Sequence, residues 1–420
     1  MGVSFNDGAR LSTTPVAGSA EIENKGGRTL QSSNEPAPVS LGVIGLGMAG
    51  AVMAHAAALH PRIRLVAGAD PSPEARAAFS SRFQGRAYAD AAELCADPEI
   101  EAVHIATPHQ FHRPHALMAA QAGKHMVVEK PLALTLADCD ALAQGVETAG
   151  VQLVVGHTHG FDPAIQLIRK LVRSGEFGAL GLLAQWNYTN FLYRPRRPEE
   201  LDTELGGGVV YNQTPHQIDV ARMIGGEIRC VRAHLARLDP ERPTEGLAAL
   251  LLQFESGGAA SLVYSGYDHF DSDEWHGWVA ESGAEKRGDL HGAARRALVG
   301  RSQDEPALRG SQYRLGAQAF APAPHQPHFG ELVATCARAD LRPFGDRVMV
   351  YEQAGVRSIE IERGVGVPGR RETLDELVGA IRDGEAPLHD ARWGRATLAV
   401  ALAALRSARE DREVTLASMG

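Results

Sequence analysis

Residues 39–50 read VSLGVIGLGMAG, a short apolar run that breaks into Gly45, Gly47 and Gly50 just before an alanine-rich helical stretch. A strand, a glycine turn and a helix in that order constrain the fold more than anything else in the chain. The first glycine permits the tight turn, and the second lets the backbone approach a pyrophosphate. The third lets the helix pack on the strand. The helix start at Met48 and Ala49 then presents free N–H groups and the positive end of its dipole to phosphates. A glycine-rich turn without a ligand is the alternative for the motif taken alone. A second apolar run, 63–68, leads to Asp70, twenty positions after Gly50, where a carboxylate accepts hydrogen bonds from an adenosine ribose and repels a 2'-phosphate. With Pro71 and Ser72 following and no adjacent Arg, NAD is favoured over NADP. The competing reading of Asp70 is a plain turn acid.

From Val39 onward, strand-like runs at 39–44, 63–68, 102–106, 125–128 and 151–155 alternate with helical stretches near 48–60, 73–83, 111–122 and 135–149. Ser72 with Pro73, and Thr135, mark two helix starts. This alternation predicts an α/β domain over 39–156, a Rossmann doubly wound parallel sheet. After a helix at 163–173 come β-prone stretches at 180–190, 227–238, 247–254 and 259–266, which predict an α+β domain over 157–392 with a large, mostly antiparallel sheet. Within it, 281–324 has weak periodicity and reads as a long loop or insertion. Helices are expected at 373–383 and 393–409, with 393–420 as a C-terminal helix and tail.

A length of 420 residues suits two domains. The formal charge of −9 gives no electrostatic footprint for nucleic acid or a membrane surface, so a small-molecule substrate is the expected partner. No apolar stretch approaches the roughly 20 residues that span a bilayer. The first 38 residues are rich in Gly, Ser, Thr, Asn and Pro and carry three Glu residues, which reads as a disordered leader rather than a signal or transit peptide. Four scattered cysteines show neither disulfide nor zinc spacing, and a cytoplasmic location is the simplest expectation.

Three segments carry candidate chemistry. AVHIATPHQFH at 102–112 ends a parallel strand in a Thr107-Pro108 turn that faces the crevice of an open α/β sheet; a plain strand-to-helix turn is the alternative. His109, His112 and His115 have no acidic ligand beside them, so no metal site is expected. VVEKP at 127–131 carries Lys130 to the crevice mouth, where it can donate to a substrate oxygen or shuttle a proton if burial lowers its pKa; a solvated Glu-Lys pair is the other reading. GGGVVYNQTPHQID at 206–219 sets His216 on a helix, with Asp219 one turn on, and a neutral imidazole suits removal of a hydroxyl proton. His112 and Glu129, which flank the two turns, join Thr107, Pro108 and Lys130 as residues expected to border the cofactor.

GLGMAG, ATPHQFH, EKP, GGGxxxNxxxH and the tail motifs DELVGAIRDGEAP and WGRATLAVALAALRSARE together resemble the glucose-fructose oxidoreductase and inositol dehydrogenase (Gfo/Idh/MocA) family, from about Val39 to Leu416. The resemblance implies an NAD(P)-dependent oxidoreductase, a homodimer or homotetramer joined through the open sheet, a catalytic lysine at Lys130 and a catalytic histidine at His216. One position departs. The family's sugar and polyol dehydrogenases usually have Asp four residues before that histidine, where this chain has Asn212, which orients a hydroxyl but holds no charge. The polar loop after the sixth strand is GHTHG at 156–160.

HTHGFDP, GGGVVYNQTPHQID, GYDHFDSDEWHGW and HFGELVATCARADLRP are similar to the branch of phthalate-type dihydrodiol dehydrogenases of aromatic degradation. That likeness implies oxidation of a carboxylated cis-dihydrodiol to a catechol. His159, Arg194, Asn212, Lys130 and His216 are then the expected substrate contacts, with Arg194 in the basic loop YRPRR reading the ring carboxylate. An exposed loop paired with Glu199 and Glu200 is the alternative for those arginines. A sugar or inositol dehydrogenase, an NAD-dependent glycosidase and a non-catalytic NAD sensor remain the other functions open to such a chain.

Overall fold

The computed structural model describes residues 36–299, 305–312, 323–362, 364 and 366–419. All but the last three residues of the expected leader at 1–38 lie outside the described residues. The N-terminal half folds in the order β1 (Val39–Ile44), α1 (Met48–Leu59), β2 (Ile63–Ala69), α2 (Pro73–Phe83), β3 (Arg86–Tyr88), α3 (Ala91–Ala96), β4 (Ala102–Ile105), α4 (His112–Gln121), β5 (His125–Glu129), α5 (Leu136–Ala149) and β6 (Leu153–Gly156). The six strands form one parallel sheet in the order β3-β2-β1-β4-β5-β6, the doubly wound arrangement. Every residue of β1 is buried, as a central parallel strand covered on both faces requires. The two helix starts read from sequence are capped: Ser72 Oγ accepts from Ala75 N at 3.2 Å and Thr135 Oγ1 from Asp138 N at 3.1 Å.

The second half contains α6 (Pro163–Arg173), β7 (Leu180–Tyr188), α7 (Gly208–Asn212), α8 (Thr214–Gly225), β8 (Ile228–Ala236), β9 (Leu247–Phe254), β10 (Ala259–Ser265), α9 (Ala293–Leu298), α10 (Glu305–Gln312), β11 (Glu331–Cys336), β12 (Ala339–Phe344), β13 (Arg347–Glu352), β14 (Gly355–Glu360), α11 (Arg370–Val378), α12 (Ala391–Glu410) and β15 (Val414–Thr415). A nine-stranded sheet runs β14-β13-β12-β11-β7-β10-β9-β8-β15, antiparallel except where β7 and β10 pair in parallel. Its inner face packs on α6 and α8 through Ile165, Ile168, Ile218, Leu250 and Leu262. The outer face leaves Leu182, Trp186 and Leu251 exposed.

The C-terminal helices tie the two sheets together. Leu398 of α12 joins the parallel-sheet core, while Val400 and Ala401 join the other. Leu374, Leu377 and Val378 of α11, inside the stretch 157–392 assigned to the second domain, pack with Val39 and Met53 on the parallel sheet.

One expectation changes in kind. The stretch 281–324, read as a long loop, contains α9 and α10. Polar anchors hold them, joined in α9 by Ala294 and Leu298 against the core of the second sheet. Glu305 is buried against Arg242, with contacts of 2.5 and 2.9 Å, and accepts from Arg196 N at 3.0 Å, while Arg295 of α9 donates to Tyr193 Oη. Periodicity carries no signal for such helices.

Candidate active site

The glycine loop leaves β1 at the point where the strand order reverses, with β2 on one side and β4 on the other. A doubly wound sheet opens its crevice there. Gly45 has φ +91°, and a Cβ at Gly50 would lie 1.9 Å from Gly45 O, so helix and turn meet at a distance no side chain allows. A Cβ at Gly47 would meet nothing within 4 Å, and Gly47, the N-cap of α1, offers the helix no side-chain acceptor. This is the open, uncapped cradle a pyrophosphate needs, and the chain's residues fit a dinucleotide. Asp70 stands at the end of β2, its carboxylate accepting from Leu46 N at 2.8 Å and Ser72 N at 2.9 Å. Arg76, which the sequence reading did not weigh, donates to Asp70 O and Pro71 O at 2.7 and 2.9 Å.

From this cradle a cleft of about 1560 Å³ runs past β4 and β5 to the second sheet, bordered by Thr107, Pro108, Glu129, Lys130, His159, Arg194, Asn212 and His216. Its volume exceeds that of an ordinary single-ligand pocket. His112 is fully buried at its edge. The ring nitrogens of His112 lie 2.9 Å from Thr107 O and 2.8 Å from Pro131 O, so it pins the two turns together rather than offering a free nitrogen to a cofactor. Glu129 is also buried. Burial alone would raise its carboxyl pKa, but Arg370, His104 and Lys130 hold it well below the carboxylate range.

Lys130 Nζ donates to the backbone oxygen of Asn212 at 2.5 Å. Burial lowers its pKa to about 8 against the pull of Glu129, aided by the charge of Arg370. Asn212 borders the cleft, but part of its side chain is already engaged. Its amide nitrogen donates to Gly206 O and Gly208 O at 3.1 and 2.8 Å, so both amide hydrogens brace the glycine turn and the lysine is steadied by a main-chain carbonyl. That turn is crowded: Gly208 has φ +76°, and a Cβ there would lie 2.2 Å from the buried Glu245 carboxylate.

His216 packs in a cluster of three rings, with His159 at a centroid distance of 4.8 Å and nearly perpendicular and Phe329 at 4.9 Å, those two being 4.5 Å apart. Its Nδ1 is buried without a hydrogen-bond partner among the described residues. Burial, then the charges of Lys130 and His159, push its pKa well below the ordinary histidine value, leaving a neutral imidazole. Asp219, one helical turn on, does not serve it. That carboxylate accepts from Trp393 Nε1 at 2.7 Å and lies 3.5 Å from His389 Nε2.

His159 is placed differently from a substrate donor. Its Nδ1 lies 2.9 Å from Asp162 Oδ2 and its Nε2 3.3 Å from Glu281 Oε1, so both nitrogens face carboxylates. Burial would lower its pKa, but Asp162 and Glu281 raise it to about 9, making a cation edge-on to the neutral His216. Neither carboxylate was singled out from sequence, although the HTHGFDP string already set Asp162 three residues after His159. Arg194 borders the cleft with Nε donating to Asn190 Oδ1 at 2.8 Å, whereas Arg197 pairs with Glu199 and Glu200, and Arg196 is buried with Nε on Phe191 O. All three arginines of the basic loop border the cleft. Asp271 and Asp273 of the GYDHFDSDEWHGW segment hold Lys286 at the cleft wall.

Comparison with known proteins settles the family. The NAD-binding Rossmann profile of the Gfo/Idh/MocA oxidoreductases matches residues 39–157, and the C-terminal domain profile of that family matches 165–283. The chain belongs to the Gfo/Idh/MocA family. It is 40% identical to 1-carboxy-3-chloro-3,4-dihydroxycyclo hexa-1,5-diene dehydrogenase of Comamonas testosteroni, over 88% of this chain and 95% of that protein. Levoglucosan dehydrogenase of Pseudarthrobacter phenanthrenivorans is 30% identical, over 53% of this chain and 58% of its own length. The crystal structure of a Bordetella bronchiseptica RB50 protein described as a dehydrogenase superposes with a TM-score of 0.86 at 46% identity, covering 90% of this chain and all of that one. This family member is therefore an oxidoreductase whose first domain is an NAD-binding Rossmann fold. No helix among its described residues is long and apolar enough to cross a membrane.

Proposed function

We propose that the enzyme oxidises a carboxylated cyclic cis-diol of the phthalate type to the corresponding catechol, with NAD as oxidant. The similarity over 95% of a dehydrogenase named for a carboxylated dihydroxycyclohexadiene carries this reading. The site's chemistry supports it. Bound NAD supplies the hydride acceptor for one carbinol carbon. Neutral His216 takes the hydroxyl proton, and Lys130, steadied by Asn212 O, donates to the same oxygen as it becomes a carbonyl. The resulting hydroxydienone tautomerises to the aromatic diol, losing its ring proton while the carbonyl oxygen takes one up, so a hydride and one proton leave the substrate in all. Gain of aromaticity drives the step, which fits a site where Asn212 stands in place of a carboxylate.

Gly45, Gly47, Met48, Ala49 and Gly50 would hold the pyrophosphate, Asp70 the adenosine ribose, and Thr107, Pro108, Glu129 and Lys130 would border the nicotinamide. Asp70 favours NAD over NADP. We further propose that the apolar outer face of the nine-stranded sheet, with Leu182, Trp186 and Leu251, joins copies of the chain into a dimer or tetramer. Light scattering on Trp186→Arg, giving a smaller species than the wild type, checks this.

The test of the function is NADH absorbance on mixing purified enzyme and NAD with the cis-dihydrodiol of phthalate and, separately, with myo-inositol. NADH formation with the aromatic diol is expected. Formation with inositol alone would replace this reading with a polyol dehydrogenase.

A further inference from the structure

Arg370 begins α11 and borders the same cleft as Lys130, His159 and His216. Its side chain is 18% exposed, yet Nε and Nη1 are buried without a hydrogen-bond partner among the described residues. The ion pair from Nη2 to Glu129 Oε1, at 3.9 Å, is too long for a hydrogen bond. Withdrawing a guanidinium from water without partners is costly, and such a group in a cleft wall calls for an anion to complete it.

Its backbone is fixed. Gly369, at φ +73°, lies so close to the HTHG loop that a Cβ would fall 2.7 Å from Thr158 O, and Thr373 Oγ1 donates to Gly369 O at 2.8 Å. Arg370 is thus held against the loop that carries His159. Of the other arginines of the cleft, Arg194 has Nε on Asn190, Arg196 has Nε on Phe191 O, Arg309 has Nη1 on Pro195 O, and Arg197, whose Nε makes no hydrogen bond among the described residues, is ion-paired with Glu199 and Glu200. The dinucleotide's own anionic groups belong at the glycine cradle, and the nicotinamide end carries none.

We propose that Arg370 is the receptor for the substrate's carboxylate, orienting the ring so that its hydroxyls meet Lys130 and His216. This rests on the carboxylated-diol reading and assigns to Arg370 the recognition that the sequence assigned to Arg194. A guanidinium, charged at every working pH and weakly hydrated, suits a carboxylate.

The test compares wild type, R370Q, R370K and R194Q on a carboxylated cis-dihydrodiol and on the ring analogue without the carboxylate. Binding of benzoate and of NADH to each protein is followed in parallel by intrinsic fluorescence. The wild type should prefer the carboxylated diol, and R370Q should lose about 30-fold or more of that preference through KM, together with benzoate binding in the presence of NADH. R370K, which keeps the charge and the packing but not the fork, should fall between them, and R194Q should stay closer to wild type. Preference and benzoate affinity retained in R370Q would overturn the proposal while leaving the carboxylated-diol reading intact, as would a loss confined to R194Q. No preference in the wild type would instead remove that reading and this proposal with it. NADH affinity falling in R370Q as far as benzoate affinity would show that the arginine serves the cofactor, and would also overturn it.

Discussion

The two ends of the cleft are built by different means. At the cofactor end, one continuous segment of twelve residues supplies strand, turn and helix start, and the backbone does the work: Gly45 turns, Gly50 lets the helix meet the turn, and Gly47 leaves the cradle open. At the substrate end, Lys130, His159, His216, Glu281 and Arg370 come from five separate segments, and charge does the work. A backbone site tolerates almost any neighbour but no Cβ where turn and helix meet, at Gly45 and Gly50. A charge-built site tolerates small changes of shape but not the loss of a partner.

Five substitutions or conditions separate these designs. The largest effect is expected from Lys130→Met, which should lower kcat by about 10²–10⁴-fold, the usual weight of an acid-base group, as measured by steady-state kinetics. In the wild type, with Lys130 at about 8, the protonated donor is lost as pH rises, so kcat/KM should decline above about pH 8. Next is Gly50→Ala. With its new Cβ 1.9 Å from Gly45 O the loop must shift, and the NADH dissociation constant should rise about tenfold or more, read by fluorescence titration. An unchanged constant would show that the cradle is softer than its contacts indicate.

A smaller effect is expected from Glu281→Gln. Removing that carboxylate lowers the pKa of His159, weakens the positive charge facing His216 and lets the pKa of His216 rise, so the acid limb of kcat/KM should move to higher pH. Smallest is a stability term. His159 and His389 are raised to about 9 in the folded protein, His159 chiefly by Asp162 and His389 chiefly by Asp219, both against burial. Their charge therefore stabilises the fold fully below the ordinary 6.5 and is lost as pH rises through about 9. Melting temperature should fall over that window, and less in His159→Gln than in the wild type.

The same contrast explains what could be read from sequence. The parallel sheet was legible because β1, β4 and β5 are apolar runs closed by glycine or proline, and the caps at Ser72 and Thr135 carry their own side-chain signal. Strand β3 was not, having only three residues, Arg86–Tyr88, nor were β12 and β14, where Pro343 and the exposed Arg357 and Glu360 erase the alternation. The sequence also marked Lys130 and His216, since each sits in a motif of its own. It missed Glu281 and Arg370, because a partner that arrives 122 residues after His159, or at the start of a distant helix, leaves no local pattern. His112, His159 and Asn212 were found as polar residues in the right motifs, and only the fold shows that their nitrogens are already engaged within the protein.

The most direct test of this division measures NADH affinity and turnover side by side in His216→Asn. The account predicts that kcat falls by about 10²–10⁴-fold while the NADH dissociation constant stays close to that of the wild type. A loss of NADH affinity in step with the loss of turnover would contradict it, placing His216 in the cofactor's binding site rather than in proton transfer.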